Sequence, residues 1–166
     1  MRKIAFLKRP KDNIYKVMLH DTSKGVYVYA YDCLQDTASI SDYWFETLEQ
    51  AEEDCNENYK IENDDWIFIA EPLEGCQDDF ILPTRIKGKE SGNPQWGHFE
   101  FYSNGKWRDI FQGDKEKSFA GMTVNERLFV SGLIYEFDMA KKKDKEKARK
   151  ILEVLRVDMP SINKIV

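Results

Sequence analysis

The run from Gly25 to Cys33, "GVYVYAYDC", limits the fold more than any other stretch of the 166 residues. Along an extended chain Val26, Val28 and Ala30 point to one side and Tyr27, Tyr29 and Tyr31 to the other. Asn13–His20, "NIYKVMLH", alternates in the same way, and Thr22-Ser23-Lys24-Gly25 between the two runs is turn material. Two alternating runs joined by a short turn predict an antiparallel hairpin. Lys3–Leu7 is expected to add an edge strand.

A helix is expected next. Thr47 with Gln50 three residues on has the form of a capping box. Leu48, Ala51, Cys55 and Tyr59 then recur at helical spacing, while Glu49, Glu53, Asp54 and Glu57 fall on the opposite side. Trp66–Ala70, "WIFIA", reads as a further strand, so the expected order is β-β-β-α-β. The natural packing is one helix on a face of a small antiparallel sheet. Residues 71–95 carry Pro72, Gly75, Pro83, Gly88, Gly92 and Pro94 and predict a long ordered loop, with a short strand at Phe80-Ile81-Leu82. Asn104-Gly105 between alternating apolar runs predicts a second hairpin.

The C-terminal part is expected to be helical. Thr123 and Glu126 form another capping box, and a single helix should run from Val124 to about Ala140. That helix is apolar nearly all round, so cover on two sides is expected. Asp144 can cap a second helix whose Ala148, Ile151, Leu152 and Leu155 make one stripe. A last short helical turn is expected at Pro160-Ser161. The chain therefore predicts an α+β fold. Residues 1–114 form the sheet-bearing part, and residues 115–166 a helical module packed on it.

The stretch "TVNERLFVSGLIYEFDMAKKKDKEKARKIL" resembles a helical module of many small bacterial proteins of unassigned role. Thr123, Asn125, Glu126, Arg127, Leu128, Gly132, Leu133, Phe137, Asp138, Ala140 and Asp144 carry the match, over about a quarter of the chain. The N-terminal part loosely resembles compact α+β immunity proteins. That resemblance implies a protein partner and no chemistry of its own.

The residues offer little to a catalyst. His20 and His98 are the only histidines. A Cys76–His98–Asp78 constellation in a hydrolase or transferase is the alternative reading, but no spacing places the three together. Three distant cysteines, Cys33, Cys55 and Cys76, make neither a disulfide framework nor a zinc site. Asp64-Asp65 and Asp78-Asp79 lack the alternating oxygens and glycine of a calcium loop. Gly88-Lys89 belongs to no phosphate-binding loop. No cofactor and no metal are expected. "MRKIAFLKRP" has too short an apolar run for a secretory segment, and no run reaches spanning length, so no membrane is involved and a cytoplasmic protein is expected.

Charge is where the sequence departs from the ordinary. Residues 32–80 hold sixteen Asp/Glu and one lysine, Lys60, whereas the segments on either side are net basic. Wet helices gain a few tenths of a kcal/mol from a Lys or Arg four residues after a Glu. Here Glu53 follows Glu49 and Glu57 follows Glu53, so the pattern costs stability. Solvated surface, neutralisation by residues 81–166, and a basic protein partner all fit these letters. A purely structural subunit is a further possibility. The partner reading selects Glu49, Glu53, Asp54, Glu57, Asp64 and Asp65, with Trp44 and Trp66 as anchors. Direct nucleic-acid binding there has the wrong sign.

Overall fold

The described residues of the chain build two antiparallel sheets and five α-helices. A computed structural model describes residues 1–110 and 115–166. The first sheet contains β1 (Arg2–Lys11), β2 (Ile14–Thr22), β3 (Gly25–Tyr31), β4 (Ser41–Phe45) and, after helix α1 (Leu48–Tyr59), β5 (Ile67–Ile69). Its strand order is β4-β3-β2-β1-β5. The second sheet orders β6 (Thr84–Ile86), β7 (Phe99–Ser103) and β8 (Lys106–Asp109) in sequence. Helices α2 (Val124–Val130), α3 (Ile134–Lys143), α4 (Lys145–Val154) and α5 (Met159–Ile165) follow. This is the α+β class expected. Residues 111–114, where the expected boundary between the two parts falls, lie outside the described residues.

The hairpin forms as its alternation requires, with Leu19 opposite Val28 and Val17 opposite Ala30. Those residues, with Ala5, Leu7 and Val26, pack against Ala51 and Cys55 of α1. The other face carries Ile4, Phe6, Met18, Tyr31, Ile67 and Ile69, which pack against Leu128, Leu133, Phe137, Ile151, Leu152 and Leu155. The sheet therefore lies between α1 and the C-terminal helices. Each fully buried Leu or Ile contributes about 1.5–3 kcal/mol relative to exposure.

This double cover corrects the first expectation. β1 is no edge strand: it lies between β2 and β5, and Arg2 through Leu7 are all buried. β4 has no counterpart among the expected strands, although Asp42 and Trp44 alternate with Tyr43 and Phe45. The strand expected at Phe80–Leu82 does not form. The Ile81 and Leu82 N–H groups donate instead to the two Asp36 carboxylate oxygens, each at 2.8 Å. Strand β6 starts just beyond, at Thr84, and turns the second hairpin into a three-stranded sheet. Asn104 and Gly105 hold φ of 51° and 78°, the turn their dipeptide favours.

The single helix expected over 124–140 is broken at Ser131-Gly132. Gly132 has φ of +78°, and a Cβ there would stand 2.7 Å from an Asp36 oxygen. The continuous cover also fails, since Phe129, Tyr135 and Met139 stay exposed. Gly132→Ala is expected to cost about 2–4 kcal/mol, from left-handed strain and from that close approach. Gly92→Ala, with φ of +72° and nothing within 4 Å, should cost about 1 kcal/mol. Urea midpoints at unchanged slope separate the two. Equal losses would show that the Asp36 contact is immaterial.

Candidate functional site

Helix α1 starts where its capping box predicts. Thr47 Oγ1 accepts from the Gln50 N–H at 3.3 Å, and Gln50 Oε1 accepts from the Thr47 N–H at 3.3 Å. Ala51 and Cys55 are fully buried, and burial pushes the Cys55 thiol up to about 12, so it stays protonated. The helix ends on Lys60 in the left-handed conformation, with no basic residue in its last turn to meet the dipole.

The acids of this region divide into two groups. Glu52 is ion-paired with buried Lys3, whose ammonium lies 4.7 Å from the centre of the Trp66 ring. Asp65 pairs with Lys8 at 2.9 Å and caps the 3-10 turn at Asn63–Asp65 by accepting from the Glu62 N–H. Partial burial pushes the Asp65 carboxyl up, but that N–H and Lys8 outweigh it and hold it below the usual range. Asp64 and Asp65 also border a small cleft with Lys150 and Arg156. Glu49, Glu53 and Glu57 are exposed and make no ion pair among the described residues. Asp54 is half-buried and accepts from the Asn58 amide at 2.9 Å. The neutralising cations come from β1, where Lys3, Lys8 and Lys11 sit; Lys11 donates to the Asn58 carbonyl at the helix end. The described residues of 81–166 place no ion pair on α1.

Of the two tryptophans expected as anchors, Trp44 is 55% exposed on edge strand β4. Trp66 is 4% exposed and belongs to the core under α1, which removes it from any docking surface. The reason is positional: it directly precedes β5, and its ring belongs to the cluster under α1, with the Lys3 ammonium over it. Asp65, tied to Lys8, leaves the candidate set as well. Tyr43, 49% exposed beside Trp44, enters it. Its signal is the alternation of "SDYWF", masked by the helix start that follows directly.

Among the described residues no hydrogen bond joins Cys76 to His98, and burial pushes the Cys76 thiol up despite nearby Arg85 and Arg2. His20 is buried with Nε2 at 3.2 Å from Glu71, and burial lowers its pKa. No cluster among the described residues has the composition of a metal site. No helix among them is long and apolar enough to cross a membrane.

A larger cleft of about 920 Å³ lies where the 35–40 loop, the second sheet and α2 meet. Phe80, Leu82, Phe99, Phe101 and Phe129 line it, and among the described residues no Cys or His does. Thr84, also in its wall, has a buried hydroxyl without a hydrogen-bond partner among the described residues. Its volume suits a small apolar molecule. The chain matches no protein-family model, no curated protein and no solved structure.

Proposed function

We propose that this protein is a non-enzymatic binding module of the immunity or inhibitor type, which covers a basic site of a partner protein with helix α1. A toxin nuclease is the partner class this charge suits. Carboxylates on α1 would then occupy the places of substrate phosphates. Tyr43 on the adjacent strand would exclude water around them; Trp44 projects from the opposite face of that edge strand.

One observation carries this reading: Glu49, Glu53 and Glu57 remain exposed and without an ion pair among the described residues, while neighbouring Glu52 and Asp65 are engaged by the chain's own lysines. Like charges four residues apart destabilise a helix. Here they persist where two nearby acids show that internal pairing is attainable. A concentrated negative surface speeds encounter with a cationic partner and selects against anionic ones.

The test reverses Glu49, Glu53 and Glu57 to Lys together and captures the partner from the native cell at two salt concentrations. Capture is expected to fall about tenfold to a hundredfold at low salt, and less at high salt where exposed charges are screened. The variant should fold about as well as the parent, since lysines at all three positions repel no more than the glutamates did, and the loss of Glu49 from the first turn is offset by a cation at position 57 in the last. Unchanged capture at low salt sinks the reading.

A further inference from the structure

The face of the first sheet opposite α1 is not covered evenly. Beneath the C-terminal helices it is apolar. Towards β4 it opens into a shelf of aromatic rings. Register sets the arrangement: Tyr27 stands opposite Trp44, and Tyr29 opposite Asp42. Paired residues share a face, so these four side chains project together. The Tyr27 and Tyr29 rings are nearly parallel, 10° apart with centroids separated by 6.2 Å, and both stay half-exposed. Tyr31, the third of the alternating tyrosines, is fully buried and donates to the Asp79 carbonyl at 2.6 Å.

The shelf is held rigid. Trp44 Nε1 donates to the Lys24 carbonyl at 3.2 Å, and its indole lies over Gly25, where a Cβ would meet Nε1 at 2.4 Å. Asp79 is fixed by accepting from the Ser39 N–H at 2.9 Å. Burial, with the Asp78, Asp79 and Asp42 carboxylates close by, holds the Tyr29 phenol above its ordinary range; it stays a neutral ring with three acids around it. Among the described residues, no Lys or Arg makes an ion pair with Asp42, Asp78 or Asp79, although the Arg2 guanidinium, which donates to the Asp78 carbonyl at 3.2 Å, bears on Asp78 from within the core.

Flat aromatic faces edged by carboxylates of this kind attract cations. A guanidinium suits such a place better than an ammonium, because its plane stacks on a ring while its edge donates to a carboxylate. We propose that the Tyr27–Tyr29–Trp44 shelf, with Asp42 and Asp78 at its margin, binds an arginine side chain of the partner. The proposal rests on the basic-partner reading above, but it uses the other face of the sheet. A partner reaching both α1 and the shelf would pass around the open edge of β4.

The probe is a blocked Gly-Arg-Gly peptide titrated at low salt, with aromatic NMR shifts of Tyr27, Tyr29 and Trp44 as the readout. Saturable shifts at these three rings are expected. The citrulline peptide, isosteric and uncharged, should give none, and the lysine peptide should bind more weakly. Asp42→Asn with Asp78→Asn should weaken arginine binding about tenfold, and both positions are exposed enough to leave the fold intact. Equal shifts with arginine and citrulline, no shifts at all, or an unchanged titration in the double Asn variant would each overturn the proposal. The triple Lys variant of α1 should leave this titration unaltered. If that variant loses the partner while the double Asn variant keeps it, the shelf falls and the acidic helix stands. If only the double Asn variant loses it, the converse holds.

Discussion

Arg2→Met is expected to lower the unfolding free energy by about 3–5 kcal/mol. Arg2 is 2% exposed. Its Nε donates to the Ala70 carbonyl at 2.8 Å, and its Nη1 donates to the carbonyls of Phe80 at 2.6 Å and Asp78 at 3.2 Å. One guanidinium thus ties the start and end of the 70–80 segment to the interior strand β1. Methionine fills much of the space and donates nothing, so up to three carbonyls lose a partner, and each buried orphan costs about 1–3 kcal/mol. Burial lowers the Arg2 pKa, but Glu71, Asp36, Tyr31 and Asp78 oppose that, and the fork of donors depends on the charged form. Arg2→Lys should fall between parent and Met, because an ammonium cannot reach Ala70 and Phe80 as a fork. Urea unfolding gives the free energies. Amide hydrogen exchange should quicken at Ile81 and Leu82 before the sheet is affected. A loss below about 1 kcal/mol in the Met variant would show that water satisfies these carbonyls.

Asp36→Ala is expected to cost about 3–4 kcal/mol for a related reason. Asp36 joins three parts of the chain. Its carboxylate takes the Ile81 and Leu82 N–H groups, its own N–H donates to the Val130 carbonyl at 2.8 Å, and Gly132 closes over it. Fully buried Lys16, which donates to the Gln35 carbonyl, lies close enough to favour the charged carboxylate. Burial pushes Asp36 up and Lys16 down, and each opposes the shift of the other. Alanine leaves two backbone donors unmet and Lys16 without its counter-charge. Asp36→Asn keeps the acceptor on one side and should cost about half as much. A cycle with Gly132→Ala tests the geometry directly. In the Asp36→Ala background the carboxylate contacts are gone but the Cβ at 36, 2.9 Å from a Cβ at 132, remains, so the glycine substitution should cost less than in the parent yet more than the backbone strain of about 1 kcal/mol. Strictly additive losses would mean that the two residues do not bear on each other.

Neither residue stands out in the sequence. Arg2 reads as one of seven basic residues near the start, and Asp36 as one of sixteen acids in the middle segment. Their side chains bond to partners 45 or more positions away, and a single sequence without such pairings carries no mark of them. The same distance hides the true place of β1. Its residues look like a modest edge run, yet two strands flank it once β5 returns beside it. The break at Gly132 is visible as a glycine within a helical pattern, but apolar periodicity continues across it and conceals the stop. In the candidate site, the acids of α1 are legible because their spacing along one helix is local. Whether each acid is free or paired is not, and there the structure removes Trp66 and Asp65 and adds Tyr43.

By itself the sequence determined what depends on near neighbours. It set the β2–β3 hairpin, the Thr47, Thr123 and Asp144 caps, the Asn104-Gly105 turn, the stripe of α4 and the charge of α1. Steric preference, hydrogen bonds over three or four residues and a fixed helical period settle these within one element. Tertiary structure alone decided the strand order, the burial of Trp66, the two polar ties made by Arg2 and Asp36, and the shelf of Tyr27, Tyr29 and Trp44 on the face away from α1. Those outcomes follow from which surfaces meet across the chain, and that is set by competition for cover among distant segments.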